Sequence, residues 1–525
     1  NSNWGGILKQ YGLSEVRFFS IPVLAREPSP VSGTTDVSVD ATLSWRAGRE
    51  AAKHNVYLST DEQAVIDGTA PAVTVTSPSH ACSLDLAGTY YWRIDEVNDV
   101  ETPTTWQGDI WSLSTQEYLV VDDFESYNDI EAGQEGSNLV YMTWADGFGT
   151  TTNGSTLGYT EAFQPSVETS LIYDGKQSVP LFYNNTTASL SEITANVADL
   201  QAGRDWAKHS IKGLTLRFSG DPANVLQQMY VKINGTKVTY DGNAENIRLK
   251  GWQMWYIDLA PLGVNLSNVT TLTIGLERIG TAGGQGMVLL DGIRLYSYDR
   301  QLITPIDPGT AGLQAQYQFE GNTNDSSGNA RNGTAQGGPL FAAGKVGQAL
   351  SLDGLNDCVD VSNPASFSFV TDFTWSAWIK TSNDGTVLSR TPATGNWVQG
   401  GKSLFVRNGL LSVDVGWVGA LASTTTVNDG QWHHVAMTTA FETSGTNDTT
   451  TLYIDGQPAA SRSNWNMNAY PETGLSVKIG FTSGNFPATP WFNGLIDEVR
   501  IYSGALASEE IAWLAGRTLS FDKPF

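Results

Sequence analysis

Short stretches in which apolar and polar residues alternate recur along the whole chain. A period of two is typical of β-strands that bury one face. It is clearest at residues 41–45, 53–59, 110–114, 214–219, 229–233 and 253–259. One helix is predicted at residues 508–514, with Ser508 as its N-cap and acidic residues in its first turn. The pattern therefore predicts an all-β chain.

Proline-rich and turn-rich segments divide the chain near residues 26–30, 114–117 and 302–308. Because 525 residues are too many for one hydrophobic core, several domains are expected. The blocks are expected at residues 1–26, 29–116, 118–300 and 311–516, followed by a tail at 517–525.

The first segment contains one alternating strand, at residues 14–22, which is too short to fold alone. It resembles the last strand of a discoidin-like jelly roll. An unpaired strand of this kind must pair with this chain or with another molecule. The block at 29–116 carries aromatic-rich strands at 88–97 and 110–114 and resembles a fibronectin type III-like sandwich.

The block at residues 118–300 opens with an apolar strand that leads into Asp122, Asp123 and Glu125. It closes with a strand that carries Asp291. These two strands resemble the first and last strands of the galactose-binding-like jelly rolls found among carbohydrate-binding modules, where they lie side by side. The resemblance implies that Asp122, Asp123 or Glu125 meets Asp291 around one cation.

The block at residues 311–516 carries an ordered set of segments. They lie at residues 317–322, 325–329, 349–354, 373–380, 429–436, 452–456 and 492–502. In this order they resemble the laminin-G-like (LamG-like), concanavalin A-type jelly roll. With the preceding blocks, the expected fold class is all-β, as tandem β-sandwich and jelly-roll domains.

Oxygen ligands for calcium are predicted in this last block. Asn322 and Asp325 follow the first strand, and Asp497 lies on the last strand, which the resemblance places beside the first. Because Ca²⁺ prefers carboxylate, amide and carbonyl oxygen atoms, a structural calcium ion is expected. The alternative is that Asp325 forms an Asx-turn without a metal.

Sugar-binding sites often place aromatic rings flat against pyranose faces. The expected ligand-binding residues are exposed tryptophans in loops of the last block. These are Trp397, Trp417, Trp465 and Trp491.

Polysaccharide-cleaving jelly rolls often carry two carboxylates that alternate on one strand, as in Glu-X-Asp-X-X-Glu. This pattern does not occur in the sequence. The neighbours Asp497 and Glu498 point to opposite faces of a strand, as do His433 and His434. No catalytic residue is predicted, and binding is favoured over catalysis.

The formal net charge is −24, and Lys and Arg form no run, so nucleic acid is not an expected partner. No stretch reaches the roughly 18 apolar residues of a membrane span, so membrane insertion is not expected. The succession of modules resembles the accessory regions of large secreted bacterial proteins. This implies a secreted or cell-surface location.

Three functional hypotheses follow. The leading one is a non-catalytic extracellular adhesion protein that binds polysaccharide, glycoconjugate or cell-surface matrix. The second is a subunit of an extracellular fibre or matrix that self-associates by strand addition through residues 14–22. The third is a polysaccharide hydrolase or lyase that acts through the 118–300 block.

Overall fold

A computed structural model describes residues 22–160, 166–361, 367–392, 395–442, 447–471 and 474–524. The chain is all-β, with 6% helix and 45% strand, which confirms the predicted fold class. The helices are α1 (Glu62–Asp67), α2 (Val140–Thr143) and α3 (Ser508–Leu514). Short 3-10 turns lie at Val197–Asp199, Ala244–Arg248, Ala260–Leu262 and Leu266–Asn268.

Helix α3 lies at the predicted residues, but the prediction of its N-cap is wrong. The N-cap is Ala507, whose backbone N–H donates to the Glu510 carboxylate at 2.8 Å. Ser508 is the first helical residue, and its hydroxyl lies 3.3 Å from that of Tyr453. No helix in the described part of the chain is long and apolar enough to cross a membrane.

The first described block is a small sandwich. Its strands are β1 (Arg26–Ser29), β2 (Thr34–Val37), β3 (Thr42–Arg46), β4 (Lys53–Ser59), β5 (Ala72–Val75), β6 (Ser79–Ala81), β7 (Thr89–Val97), β8 (Thr105–Trp106) and β9 (Ile110–Thr115). One sheet has the order β1-β3-β6 and the other β2-β9-β7-β4-β5. Trp45, Trp92 and Trp111 fill the core between them. The predicted strand at 14–22 lies, apart from Pro22, outside the described residues.

The middle block is a jelly roll of two sheets. Its strands are β10 (Tyr118–Asp122), β11 (Trp144–Ala145), β12 (Ser155–Leu157), β13 (Val179–Asn184), β14 (Leu190–Asn196), β15 (Gly213–Ser219), β16 (Gln228–Ile233), β17 (Thr236–Thr239), β18 (Gln253–Asp258), β19 (Thr271–Glu277) and β20 (Gln285–Tyr296). One sheet has the order β12-β13-β20-β15-β18, with β10 also pairing β20, and the other β11-β14-β19-β16-β17. The pairing of β10 with β20 confirms that the first and last strands lie side by side.

The last block is a larger jelly roll, joined to the middle one by β21 (Leu302–Ile303). Its strands are β22 (Leu313–Tyr317), β23 (Thr334–Gln336), β24 (Leu340–Ala343), β25 (Gln348–Asp353), β26 (Cys358–Val361), β27 (Phe373–Lys380), β28 (Gly385–Pro392), β29 (Lys402–Arg407), β30 (Leu410–Val415), β31 (Gly419–Thr426), β32 (Trp432–Ala440), β33 (Asp448–Ile454), β34 (Gln457–Trp465), β35 (Leu475–Ile479) and β36 (Asn493–Tyr502). The strand β37 (Phe521–Asp522) follows helix α3.

The middle and C-terminal jelly rolls have the same topology. The C-terminal sheets have the orders β24-β25-β36-β27-β32-β33-β34 and β23-β26-β35-β28-β29-β30-β31, with β22 also pairing β36. Without the hairpins β30-β31 and β33-β34, the strands match those of the middle block one for one in chain order and in position. The sequence did not predict this relationship, because it suggested a galactose-binding-like jelly roll for the middle block. That resemblance stays a prediction.

The closing strands of the two jelly rolls carry the same irregularity. Asp291 and Asp497 are each followed by a residue in the left-handed region, Gly292 at φ 49 and Glu498 at φ 47. The register of strand pairing shifts beside each irregularity. In the middle block, the neighbour on one edge of β20 changes at this point from β13 to β10. In the C-terminal block, the neighbour on one edge of β36 changes from β25 to β22.

The C-terminal segment fastens the two jelly rolls together. Strand β37 pairs with β21 in the linker. Ile303 and Phe521 pack with Ala512 of α3. The buried Asp522 carboxylate pairs with Arg300 at 2.6 Å. A groove lies between the two jelly rolls beside these contacts, and the candidate site lies in it.

Candidate functional site

The predicted cation ligands of the middle block are engaged by protein donors. Asp122 accepts hydrogen bonds from the Tyr127 hydroxyl at 2.6 Å and the Trp144 indole N–H at 2.7 Å. Burial raises the pKa of its carboxyl above the ordinary value. Asp123 accepts from the Gln201 amide at 2.9 Å. The structure does not gather these groups around one point.

The other two predicted ligands of this block hold the turn before β13. Glu125 accepts the backbone N–H of Lys176 at 2.8 Å, and Asp291 accepts that of Tyr173 at 2.9 Å. Burial raises the pKa of Asp291 to about 6. Its second carboxylate oxygen is buried without a hydrogen-bond partner among the described residues.

The predicted ligands of the C-terminal block are occupied in the same way. Asp325 accepts the backbone N–H groups of Gln316 at 3.0 Å and of Ser327 at 2.8 Å. The bond from Ser327, two residues further on, closes an Asx-turn. Asp497 accepts the N–H of Lys345 at 2.9 Å, and burial raises its pKa to about 6.

Asn322, the remaining predicted ligand, is exposed and caps its own turn, because its side-chain oxygen accepts the N–H of Asn324 at 2.9 Å. Within the described ranges, no group of three or more His, Cys, Asp and Glu side chains could hold a metal ion. Calcium stays a prediction.

Two of the four predicted ligand-binding tryptophans are buried, so the expectation that they are exposed is wrong. Trp465 is 3% exposed, and its indole belongs to the core of the C-terminal jelly roll. Trp397 packs edge-on against Phe486, with ring centroids 4.9 Å apart. Trp465 is the last residue of β34 and turns into the core, whereas Trp397 lies in the loop before β29 and is covered by Phe405 and Phe486.

The other two tryptophans remain accessible in different degrees. Trp417 is 64% exposed at the turn between β30 and β31. Trp491 is half-buried and stacks on Phe481, with ring centroids 3.7 Å apart. The structure does not bring the four tryptophans together.

A concave surface lies where the middle and C-terminal jelly rolls meet. Two adjoining depressions of about 440 and 320 Å³ share Lys250, Asp455 and Arg517, and we call them together the interdomain cleft. Residues 248–250 line it from the middle block, and residues 515–521 from the C-terminal segment. These volumes are typical of sites for small ligands or short segments of a polymer.

A charged triad forms one wall of the interdomain cleft. His433 Nδ1 lies 2.9 Å from Asp455 Oδ2, and His433 Nε2 lies 3.1 Å from Asp429 Oδ1. Although burial opposes the charge, these two hydrogen bonds raise the pKa of His433 to about 10. The hydrogen bond from His433 lowers the pKa of Asp429 to about 2. The imidazole is therefore a cation near neutral pH.

Two indoles contribute the aromatic part of the interdomain cleft. Trp378 lies under Lys345, whose Nζ is 4.1 Å from the ring centroid, and packs edge-on against His434 at 5.4 Å. Trp432, the first residue of β32, is half-buried. In the described part of the chain, neither an aromatic ring nor a cation lies against the Trp432 indole. Trp432 lines the larger of the two depressions, so part of this side chain faces the cleft.

Sequence reasoning missed most of these residues. Trp378 could have been found, because Trp375 and Trp378 lie three positions apart on one strand and cannot share a face. Trp375 is fully buried in the core, so Trp378 points away from it. No pattern in the sequence indicates that Lys250 of the middle block meets Asp429, whose Oδ2 lies 3.7 Å from Lys250 Nζ.

A separate depression of about 620 Å³ lies on the middle block beside Asp129 and Asp146. Asp129 accepts hydrogen bonds from the Ser166 N–H at 2.7 Å and the Ser166 hydroxyl at 2.6 Å. Asp146 accepts the N–H of Leu157 at 2.7 Å. Both carboxylates accept hydrogen bonds from neighbouring loop and strand residues and so hold these segments in place.

Residues 352–512 match the family model described as the concanavalin A-like lectin/glucanases superfamily. This match supports the predicted LamG-like, concanavalin A-type jelly roll at the C-terminus. No curated protein matches the sequence.

Solved structures with similar regions include domain 4 of AbnA, a GH43 extracellular arabinanase from Geobacillus stearothermophilus, in complex with arabinotriose. It is 25% identical, with 39% of this chain and 98% of that chain covered and a TM-score of 0.31. The binding domain of botulinum neurotoxin serotype D/C is 17% identical, with 39% and 52% covered and a TM-score of 0.30. A SAP-like pentraxin from Limulus polyphemus is 21% identical, with 28% and 70% covered and a TM-score of 0.23.

Proposed function

We propose that this chain is a non-catalytic extracellular protein that binds carbohydrate, as free polysaccharide or as glycoconjugate, in the interdomain cleft. The observation that carries the proposal is the half-buried Trp432 indole, which has no ring or cation of the described chain against it and stands among polar side chains. Sugars are recognised by this combination of an aromatic face with hydrogen-bonding groups around it.

The architecture supports the same proposal. The cleft wall that carries Trp432 belongs to the region that matches a lectin/glucanase-type jelly roll. The C-terminal segment ties both jelly rolls together through β37 and Asp522, so the cleft exists before a ligand arrives. A site of this kind loses little conformational entropy on binding.

The electrostatics of the cleft favour binding over proton transfer. A general acid or base works best with a pKa near the working pH. His433, with a pKa raised to about 10, keeps its proton, and Asp429, with a pKa lowered to about 2, is a weak base. These groups are suited to hold a ligand by charge and hydrogen bonds.

Isothermal titration calorimetry of the full chain against a panel of polysaccharides tests the proposal. Trp432→Ala should weaken binding about tenfold, because an aromatic stacking contact is worth about 1.4 kcal/mol. The matched variant Trp417→Ala removes an exposed indole outside the interdomain cleft and should leave the affinity unchanged. Loss of binding in Trp417→Ala with full binding in Trp432→Ala would move the site to the β30–β31 turn and refute the cleft.

Self-association through residues 14–22 and a secreted or cell-surface location stay predictions from the sequence. Size-exclusion chromatography of the chain without residues 1–26 tests the first. A smaller assembly than that of the full chain supports strand addition, and an unchanged assembly contradicts it.

A further inference from the structure

Three cations of the interdomain cleft rest on aromatic rings. The Arg217 guanidinium lies 4.3 Å from the Tyr173 ring centroid, and Lys345 Nζ lies 4.1 Å from that of Trp378. The Arg517 guanidinium lies 4.3 Å from the Phe521 ring centroid. Among the described residues, no carboxylate oxygen lies within the 4.0 Å of an ion pair from any of the three.

Arg217 is the most unusual of these groups, because it is only 4% exposed. Burial lowers the pKa of its guanidinium. Its cross-strand neighbour Asp291 is a natural partner, but that carboxylate accepts the backbone N–H groups of Tyr173 and Asp174 instead. Buried charges in proteins are normally paired, so a guanidinium left without a counter-ion in a cleft indicates a missing anion.

The charge balance of the cleft opposes that of the whole chain. The chain has 54 acidic residues against 30 Lys and Arg. The cleft lining instead contains more cations than carboxylates, since only Asp429 and Asp455 are acidic. Both of these carboxylates are engaged by His433. Arg217, Arg248, Lys250, Lys345, His433 and Arg517 are the cations of the lining.

We propose that the interdomain cleft recognises an anionic polysaccharide, and that Arg217, Lys345 and Arg517 hold its carboxylate or sulfate groups. This inference rests on the proposed carbohydrate binding and names the class of glycan. The aromatic rings beneath the cations keep them oriented in the cleft that all three line. Lys345 is the exposed cation of the three, and Arg517 also donates its Nε–H to the Asp455 carbonyl oxygen at 2.6 Å. Carboxylate and sulfate ester share the chemistry that this arrangement selects.

The test is calorimetry of the full chain with alginate, a sulfated galactan and an uncharged galactan at low salt. At least one anionic polymer should bind about tenfold more tightly than the uncharged one, and added NaCl should weaken that binding. The alginate and sulfated-galactan arms distinguish a uronate from a sulfate ligand. Arg217→Met should weaken anionic binding about tenfold, and the exposed control Arg407→Gln should not change it.

Arg217→Met should also raise the thermal midpoint by about 3 °C, because it removes an uncompensated buried charge. A purely structural role for Arg217 would lower the midpoint instead. If this variant fails to fold, Lys345→Gln, at an exposed position of the same cleft, should show the loss of anionic binding.

Equal, salt-independent binding of all three polymers, still weakened by Trp432→Ala, would overturn the anionic preference and leave the proposed function standing. Unchanged binding of every polymer in Trp432→Ala would refute the proposed function itself.

Discussion

The carboxylate of Asp522 accepts a hydrogen bond of 2.9 Å from the backbone N–H of Tyr256, a residue of β18 in the other jelly roll. The same carboxylate pairs with Arg300 of the linker. Two parts of the chain that are far apart in sequence are therefore joined at one buried carboxylate, beside the interdomain cleft.

Asp522→Ala should lower the free energy of unfolding by about 3 kcal/mol, because it leaves the buried face of Arg300 and the Tyr256 N–H without their partner. The matched variant is Asp241→Ala, since Asp241 pairs with Arg300 at 2.6 Å but is 53% exposed. The free energy of unfolding should fall by less than about 1 kcal/mol in Asp241→Ala. Chemical denaturation measures the free energy of unfolding of both variants. Equal losses would show that the buried Asp522 does not contribute more to stability than the exposed Asp241.

The His433 triad should make stability depend on pH. The pKa of His433 rises from 6.5 to about 10 on folding, so its contribution is complete below pH 6.5 and is lost as the pH rises through 10. The pKa of Asp429 falls from 3.8 to about 2, so its contribution is present above pH 3.8 and is lost as the pH falls through 2.

Both contributions are complete between pH 3.8 and pH 6.5, the ordinary pKa values of Asp429 and His433. His433→Gln should therefore cost about 3 kcal/mol near pH 5 and progressively less as the pH rises from 6.5 to about 10. Thermal unfolding across this range measures the difference from the parent chain. A difference that stays constant from pH 5 to pH 10 would contradict a charged His433.

Gly292 should be needed for its backbone conformation alone. Its φ of 49 lies in the left-handed region, and an added Cβ would meet no atom closer than 3.7 Å. Gly292→Ala should thus cost about 1–2 kcal/mol of strain without a clash. Gly504→Ala is the matched control, because its φ is not positive and its surroundings are open. A loss at Gly504 as large as that at Gly292 would argue against conformational strain.

The predicted calcium site can be tested by its effect on thermal stability. If calcium is held by the predicted acidic loops, millimolar Ca²⁺ should raise the thermal midpoint, since a ligand that binds only the folded state stabilises it. Excess chelator should reverse that rise. Equal midpoints with calcium and with chelator, together with no heat of binding, would exclude a structural calcium ion.

The sequence predicted much of the fold, because strand alternation records which side chains are buried. In β27, the residues Trp375, Ala377 and Ile379 face the core, as a period of two requires. The adjacency of the opening and closing strands of the middle block followed from their resemblance to the first and last strands of galactose-binding-like jelly rolls. The topology shared by the two jelly rolls did not, because pairing order depends on contacts between distant residues.

The candidate site was harder to predict. Trp397 and Trp465 lie in segments that read as loops, and nothing local shows that their indoles turn inward. The interdomain cleft depends on how two domains dock, and polar docking residues such as Lys250 carry no periodic pattern. Arg217 stands at an outward position of β15, where an arginine is unremarkable in the sequence, and only the structure shows it buried against Tyr173 at the cleft.

Hydrogen–deuterium exchange of the full chain with a bound anionic oligosaccharide tests the central claim most directly. Ligand contact slows exchange of the backbone amides that it covers. We expect protection at residues 248–252, 429–434 and 515–521, on both sides of the interdomain cleft. Protection confined to the surroundings of Trp417 and Trp491, with unchanged exchange in those three segments, would contradict it.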